Sequence, residues 1–552
     1  MTLDPLSRMA VLNGTDKFGY HCYTPNYHKL FHRWRDRELK ILEIGVGGYQ
    51  DEDRGGQSLA TWRDYFPRGQ VTGIDIQKKV LDFGPRVAIR QGSQVDPDFL
   101  KALVAERGPF DLIVDDGSHR NEHVVETFAL LFPTLKPGGI YVVEDVQTSF
   151  MPRFGGSLDL AAPNSVGFFR DLIAAPPEGV AAMERFHNMV AVHKTGGTDA
   201  GLDRSTAVTL PGTATKVRRL SAAHATPDSW RRAFADLPDR ALLVLDGQPG
   251  PELLADLLAR FVEVDHREIR HNFPKATPDP VAKDLYGIER HAEGWVLIKA
   301  PNDYPSNFAF DIDHPQAQAT CAAIEAILRE TPTEEGLVHY AGLVTAERGR
   351  EAARDWVAQL DRMEATARQY FLLSGGLAQR DRQLDRAAHV FARALVHFRN
   401  DPGFALALGS VLLAQGRPED AARAIDGPML AHLRDANLHL LMARIAHAQD
   451  EQSLAIDHAT RAVTFSPTPK KPRAQAVLGE ILLAADRLDE AETALTAAVA
   501  DDTRHAARAW RMLSDLHTRR GEMDSAISAA DRAAKASPAT REYRDWRAKL
   551  AG

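Results

Sequence analysis

From Leu39 to Asp145 short apolar runs alternate with amphipathic stretches: LKILEIGV, SLATWRDYF, QVTGIDI, PDFLKALVAE, FDLIVDD, VVETFALLF and GGIYVVED follow one another. Strand-length apolar runs separated by helix-length segments are the pattern of βαβ units around a buried parallel sheet. Four strands and three helices are predicted, and MVAVHK (189–194) is expected to close the sheet and end a first domain at about residue 200. Between 201 and 335 the pattern thins. ALLVLDG (241–247), VEVDHREI (262–269) and GWVLIKA (294–300) are strand candidates among Pro-rich loops. This segment is expected to be a small α/β unit for packing or oligomerisation. DRALLVLDGQPG faintly echoes FDLIVDDGSHR, as a decayed copy would, but lacks a glycine-rich loop and a histidine matching His119.

The last part, 336–552, carries small residues in pairs twelve apart: Ala341 and Ala353, Gly375 and Ala387, Gly409 and Ala421, Ala443 and Ala455, Gly479 and Ala491, Ser514 and Ala526. Successive pairs are offset by 34, 34, 34, 36 and 35 residues. This period resembles the tetratricopeptide repeat, in which two antiparallel helices pack through small residues where they cross. LGSVLLAQGRPEDAARAI and LGEILLAADRLDEAETAL match its pattern, and Pro467 and Pro538 fall where second helices are expected to end. Such arrays present an extended concave face, so a protein partner or a carrier of the substrate is expected there.

Composition narrows the function. A chain of 552 residues exceeds one core and suggests three or four units at roughly 150 residues each. With 67 basic and 75 acidic residues the net charge is −8, which supplies no field for phosphate backbones and makes nucleic acid an unexpected partner. Cys22 and Cys321 lie in different segments, so neither a disulfide framework nor a cysteine metal site is expected. No membrane span or secretory signal is readable, and a cytoplasmic location is expected. A homo-oligomer is compatible with the sequence.

ILEIGVGGYQ has the form of a strand and a tight glycine turn, with Glu43, Gly45, Gly47 and Gly48. Glycines let the backbone approach a ligand closely, and a following helix offers free N–H groups. Asp75 ends QVTGIDI and is placed to accept hydrogen bonds from ribose hydroxyls. A nicotinamide dinucleotide and S-adenosylmethionine both fit these features. Gln50 stands where the dinucleotide fingerprint wants its third glycine, and Asp51, Glu52 and Asp53 would repel a pyrophosphate, so S-adenosylmethionine is favoured. In IRQGSQVDPDFL, Gln91, Gly92, Ser93 and Gln94 follow a strand and are candidates to border an adenine ring.

These segments carry a more specific resemblance. GTDKFGYHCYTPNYHKLF (14–31), LEIGVGG (42–48), GGQSLATWRDYFP (55–67), GIDIQKK (73–79), QGSQVD (91–96), FDLIVDDGSH (110–119), GGIYVVEDVQTSF (138–150) and FGG (154–156) occur in this order. Over residues 12 to 196 the chain resembles the metal-dependent sugar O-methyltransferases of macrolide biosynthesis, the mycinamicin and macrocin type. The resemblance implies a Rossmann-like class I methyltransferase domain over 1–200, with the small α/β segment at 201–335 and the all-α repeat solenoid at 336–552 beyond it. It implies S-adenosylmethionine and Mg²⁺ as cofactors, a sugar-containing acceptor, and Ser58 on the cofactor side.

Asp116 and Asp145 end neighbouring strands, where two carboxylates can share one hard cation; Mg²⁺ is commonly held by one or two carboxylates plus water. His119 follows Asp116 by three residues and is a candidate base. Methyl transfer from a sulfonium needs no acid for the leaving group, but the sugar hydroxyl must lose its proton. In the resembling family the matching aspartates bind Mg²⁺ and the matching histidine is the base. Asp115 is expected to touch cofactor or shape the turn, and Glu144 is open between a metal contact and a buried structural acid; His123 is the alternative to His119. The segment after Asp145, VQTSFMPRFGGSLD, reads as a loop over the site whose aromatics contact a sugar or close out water. Two other readings stay open: a repeat scaffold whose methyltransferase-like domain only senses cofactor, and an NAD-dependent oxidoreductase or hydroxylase-like relative.

Overall fold

The computed structural model describes residues 3–196, 216–264, 284–300, 315–500 and 506–551, and the chain divides into two compact units, Met1–Glu347 and Arg348–Gly552. In the first, α1 (Pro5–Asn13) and α2 (Thr24–Phe31) precede β1 (Lys40–Ile44). Then come α3 (Gln57–Tyr65), β2 (Gln70–Asp75), β3 (Val87–Gln91), α4 (Pro97–Arg107), β4 (Leu112–Asp115), α5 (Asn121–Leu131) and β5 (Ile140–Glu144). The local sequence sets the boundaries. Asp96 caps α4 by accepting from the N–H groups of Asp98 and Phe99, with Pro97 in the first turn, where its missing N–H costs nothing. Strands β1, β4 and β5 are buried almost throughout, as a parallel sheet covered on both faces requires.

The chain continues through α6 (Ser165–Ala174), β6 (Val180–Phe186), β7 (Met189–Lys194), β8 (Val217–Ser221), α7 (Pro227–Ala235), β9 (Leu242–Asp246), α8 (Pro251–Glu263), β10 (Leu285–His291) and β11 (Gly294–Lys299). Among the described residues, eleven strands form one sheet in the order β3-β2-β1-β4-β5-β7-β6-β10-β11-β9-β8. The described strands of the 201–335 segment therefore do not make a separate layer. After β5 the antiparallel β7–β6 hairpin leaves the edge of β6 to be paired, and β10 pairs it; an unpaired edge would leave a row of backbone groups without partners. Two apolar clusters, one containing Leu42 and Trp295 and the other Val71 and Val296, each run across both segments. ALLVLDG and GWVLIKA supply β9 and β11. Val262 and Glu263 of VEVDHREI instead end α8, and residues 265–269 lie outside the described residues.

A buried ionic lock sits on the seam between the segments. Glu184 of β6 lies directly opposite Glu289 of β10, an arrangement that repels. The Lys29 ammonium, from α2, bonds both carboxylates, to Glu184 at 2.8 Å. His193 Nε2 is 2.7 Å from Glu184 and His291 Nε2 is 3.0 Å from Glu289. The unit ends in α9 (Pro315–Glu330) and α10 (Glu334–Arg348), so the division at Glu347 falls later than residue 335.

The second unit is helical: α11 (Arg354–Arg362), α12 (Arg368–Arg380), α13 (Leu384–His397), α14 (Pro402–Ala414), α15 (Pro418–Ala431), α16 (Ala436–Ala448), α17 (Gln452–Phe465), α18 (Lys471–Ala484), α19 (Leu488–Val499), α20 (Ala506–Arg520), α21 (Met523–Ala536) and α22 (Arg541–Ala551). Five of the predicted small-residue pairs sit in the successive hairpins from α12/α13 to α20/α21. Ala387, Ala421, Ala443, Ala455, Ala491 and Ala526 are fully buried, and a Cβ on Gly479 would lie 2.5 Å from Leu495. At the last crossing the Ser514 hydroxyl donates to the Ala526 carbonyl at 2.7 Å. Helices α17 and α21 end just before Pro467 and Pro538. The first predicted pair does not form such a hairpin within this unit: Ala341 belongs to α10, and Ala353 to a 3-10 turn before α11. Among the described residues no helix is long and apolar enough to cross a membrane.

Candidate active site

Parallel pairing of β3, β2, β1, β4 and β5 brings all their carboxyl ends to one edge of the sheet, where open α/β sheets bind ligands. Glu43, Asp75, Gln91 and Asp115 lie at the ends of β1 to β4, Asp116 follows β4, and Asp145 follows β5. Gly45 has φ +92°, and a Cβ there would lie 2.0 Å from the Asp116 carbonyl oxygen, so the glycine turn rests on the β4 turn. Gly47 and Gly48 share the left-handed conformation. Asp75 holds this turn by accepting from the Val46 N–H (3.0 Å) and the Gln77 N–H (2.8 Å).

Three donor groups converge beyond the turn. One ligand atom each of Asp116, His119 and Asp145 lies within 4.8 Å of the others. His119 Nε2 is 3.8 Å from Asp116 Oδ1 and 3.5 Å from Asp145 Oδ2. His119 (φ 56°) and Asp145 (φ 54°) are both left-handed without being glycine. Such conformations cost of order 1–3 kcal/mol each and cluster at functional sites, where the surroundings impose them. His123 is engaged elsewhere, its Nδ1 2.8 Å from the Ser118 hydroxyl.

The back of this cluster comes from the N-terminal segment. Lys17, only 2% exposed, places its ammonium 2.7 Å from Asp116 Oδ2, 2.6 Å from Glu144 Oε2 and 3.4 Å from Glu43 Oε1. Burial alone would lower its pKa, but Asp116, Glu144 and Glu43 outweigh it and hold the pKa well above the ordinary lysine value. Tyr27 donates to Glu144 Oε1 at 2.5 Å and Tyr23 to Asp145 Oδ1 at 2.5 Å. Burial and these carboxylates raise both phenol pKa values, so both remain donors. Asn188 adds a 3.0 Å bond to Asp145 Oδ1, which leaves Oδ2 turned toward His119. Burial opposes the charge on Asp145, yet His21, His119 and the bonds from Tyr23 and Gln147 keep its pKa below the usual carboxylate range.

Other candidates are placed less directly. Glu43 is fully buried; it accepts from Ser58 Oγ at 2.8 Å, and burial, against the pull of Lys17, pushes its pKa up to about 7. Asp115 faces inward, accepting from Gln94 Nε2 and Tyr141 OH, both at 3.2 Å, and burial raises its pKa to about 6. Gln94 is buried as well: its Oε1 accepts from the Ser118 N–H at 2.8 Å and its Nε2 also reaches Thr127 at 3.0 Å. It braces the β4 turn from inside, whereas Gln91 is exposed and Ser93 half-buried at the sheet edge beside Gly92. The segment after Asp145 winds into two 3-10 turns; Phe150 and Met151 are buried and pack into the core, while Phe154 is half-buried.

Sequence reasoning missed Lys17, Tyr23, Tyr27 and Asn188 as partners of the carboxylates. A lysine set among aromatics in GTDKFGYHCY is the one available signal, since lysine is seldom buried without a paired anion. Asn188, in the β6–β7 turn, gives none.

The methyltransferase domain family matches residues 50–146, and two tetratricopeptide repeat families match residues 378–445 and 476–539. Among curated proteins, an 8-demethyl-8-alpha-L-rhamnosyl tetracenomycin-C 2'-O-methyltransferase of Streptomyces olivaceus is 48% identical over 168 residues, 30% of this chain and 44% of that protein. A mycinamicin VI 2''-O-methyltransferase of Micromonospora griseorubida is 38% identical over 216 residues, 36% of this chain and 54% of that protein. The first unit resembles sugar O-methyltransferases. The chain spans about half the length of these relatives. A solved methyltransferase of the mycinamycin biosynthetic pathway, in complex with Mg, SAH and mycinamycin VI, is 39% identical over 36% of this chain and 57% of that one, with a TM-score of 0.34. The methyltransferase-like unit thus carries the glycine turn, the spaced acids and the triad, while the repeats belong to a separate unit.

Proposed function

We propose that the chain transfers the methyl group of S-adenosylmethionine to a sugar hydroxyl with the help of Mg²⁺. The observation that carries this reading is the convergence of Asp116, His119 and Asp145 at the sheet edge, beside a glycine turn fixed by Asp75. The relatives named above, rhamnosyl and mycinamicin O-methyltransferases, support a sugar-bearing acceptor.

The donor set fits a hard cation. Two carboxylates offer oxygens on the His119 side, and no thiolate takes part. Asp116 and Asp145 would hold Mg²⁺, which supplies Lewis acidity that lowers the pKa of the acceptor hydroxyl. Lys17 compensates the excess negative charge from behind, and Tyr23 and Asn188 fix the Asp145 carboxylate. The Gly45–Gly48 turn and Asp75 take the amino-acid tail and ribose of the cofactor, and Gln91, Gly92 and Ser93 border its adenine. Glu43, Ser58, Gln94 and Asp115 act from beneath, shaping the turns. His119 Nε2 accepts the hydroxyl proton as the sugar oxygen attacks the sulfonium methyl carbon. The carbon–sulfur bond breaks with its electron pair going to sulfur, so S-adenosylhomocysteine leaves without needing a proton.

The test incubates the protein with methyl-labelled S-adenosylmethionine and a lysate of its source, with and without chelator, and locates the label. Label on a sugar oxygen that disappears with chelator is expected. Tight binding of NAD without binding of S-adenosylmethionine, or label unaffected by chelator, would overturn the proposal.

A further inference from the structure

One turn grips both carboxylates of the triad from behind. Lys17 bonds Asp116 Oδ2 and Tyr23 bonds Asp145 Oδ1, while His119 Nε2 faces the other oxygen of each, Asp116 Oδ1 and Asp145 Oδ2. The turn is tied to itself: the His21 N–H donates to the Asp16 carbonyl at 2.9 Å and the Tyr23 N–H to the Lys17 carbonyl at 3.0 Å. Lys17 and Tyr23 are thus carried on one closed loop, with His21 between them and buried. His21 Nε2 is 3.9 Å from Asp145 Oδ1, beyond hydrogen-bond reach. Its ring, by contrast, lies flat on Tyr23, with centroids 4.5 Å apart and planes 15° from parallel, and meets Tyr20 edge-on at 5.9 Å.

Helices α9 and α10 seat this turn from outside, although they follow the whole sheet in the chain. Two glycines mark backbone contacts between the partners: a Cβ on Gly14 would lie 2.3 Å from the Glu335 carbonyl oxygen, and one on Gly336 would lie 2.5 Å from that of Val11. Inside the turn, a Cβ on Gly19 would lie 2.9 Å from Ile324 Cδ1 of α9. The Thr333 hydroxyl, between the two helices, donates to the Leu12 carbonyl at 2.6 Å. His339 of α10 comes within electrostatic range of Asp16 and His21. Contacts this close fix where the turn sits, and the stacked imidazole fixes where the Tyr23 ring sits within it. A phenol held in one plane keeps its hydroxyl on Oδ1, so that Oδ2 stays presented on the His119 side.

We propose, resting on the reading that Asp116 and Asp145 hold Mg²⁺, that His21 is a positioning residue for the reaction: its ring, stacked on Tyr23, holds the phenol on Asp145 Oδ1 and so keeps Oδ2 aimed at the cation. The test titrates Mn²⁺, a divalent probe of the same site, into the full chain and follows the free ion by electron paramagnetic resonance. Wild type is compared with His21→Ala, His21→Phe, Tyr23→Phe and the double variant His21→Ala with Tyr23→Phe. Mn²⁺ affinity is expected to fall by about threefold to tenfold in His21→Ala and in Tyr23→Phe, and no further in the double variant, because the two residues act through one bond. His21→Phe keeps a flat ring without the nitrogens and is expected to stay within about twofold of wild type. S-adenosylmethionine affinity, measured on the same variants, is expected to be unchanged and reports that each chain is folded. Wild-type Mn²⁺ affinity in His21→Ala, losses that add in the double variant, or an equal loss in His21→Phe and His21→Ala would overturn the proposal and leave the Mg²⁺ reading standing. No Mn²⁺ binding by wild type would overturn both.

Discussion

The two units bury different things. The sheet unit buries ions: Lys17 with Glu43 and Glu144, Lys29 with Glu184 and Glu289. The repeat unit buries alanines at its helix crossings and keeps its ion pairs toward solvent, as with Arg487 and Glu490. The difference follows from how each is assembled. A sheet edge draws residues from far apart in the chain into one place, so charges needed there can be enclosed and compensated. A solenoid meets only its neighbours in sequence, so its core is a repeated small-residue contact and its polar chemistry stays on a face.

This contrast can be broken most directly at the buried lock. Lys29→Met removes the ammonium between two facing carboxylates and is expected to cost about 3–5 kcal/mol in chemical denaturation, the usual penalty for breaking a buried ion pair. A loss below about 1 kcal/mol would place this lock with surface pairs. Overfilling a repeat crossing should matter less: Ala455→Leu, at a fully buried position, is expected to cost about 1–3 kcal/mol. Cutting a surface pair, as in Arg487→Ala, should cost at most about 1 kcal/mol.

The smallest effect concerns pH. His439 Nε2 lies 3.0 Å from the Leu433 carbonyl and donates to it, so its Nδ1 accepts from His458 Nδ1 at 2.8 Å. Burial and the neighbouring His439 hold the His458 pKa below the ordinary imidazole value. A base whose folded pKa is lowered contributes stability that is full above its unfolded pKa of about 6.5 and is lost as pH falls toward the folded value. Denaturation midpoints of wild type and His458→Gln should therefore converge slightly between about pH 7 and 5.5. Parallel curves would remove His458 from the pH response.

What the sequence made legible follows the same division. Acids that terminate apolar runs, Glu43, Asp75, Asp116 and Asp145, are marked by a local pattern, and so is His119 three residues beyond Asp116. The repeat period is likewise local. Lys17 meets Asp116 across 99 residues, and Asn188 reaches Asp145 across 43, distances that no periodicity encodes. The continuity of the sheet escaped for the same reason, since β6 pairing with β10 spans a segment whose apolar pattern is sparse. Residues 262 and 263 read as a strand start, although Leu253, Leu257 and Phe261 before them keep helical spacing and carry α8 through. Phe150 read as an aromatic of a loop over the site because hydrophobic loop residues beside a site resemble core residues in sequence; only packing separates them.

In the proposed reaction His119, set between Asp116 and Asp145, takes the proton of a sugar hydroxyl during methyl transfer. Its most direct test compares wild type and His119→Ala for label transferred from S-adenosylmethionine to sugar, with cofactor affinity measured on both. A loss of about 10²–10⁴-fold in transfer with nearly unchanged cofactor affinity is predicted; transfer by His119→Ala at the wild-type rate would contradict it.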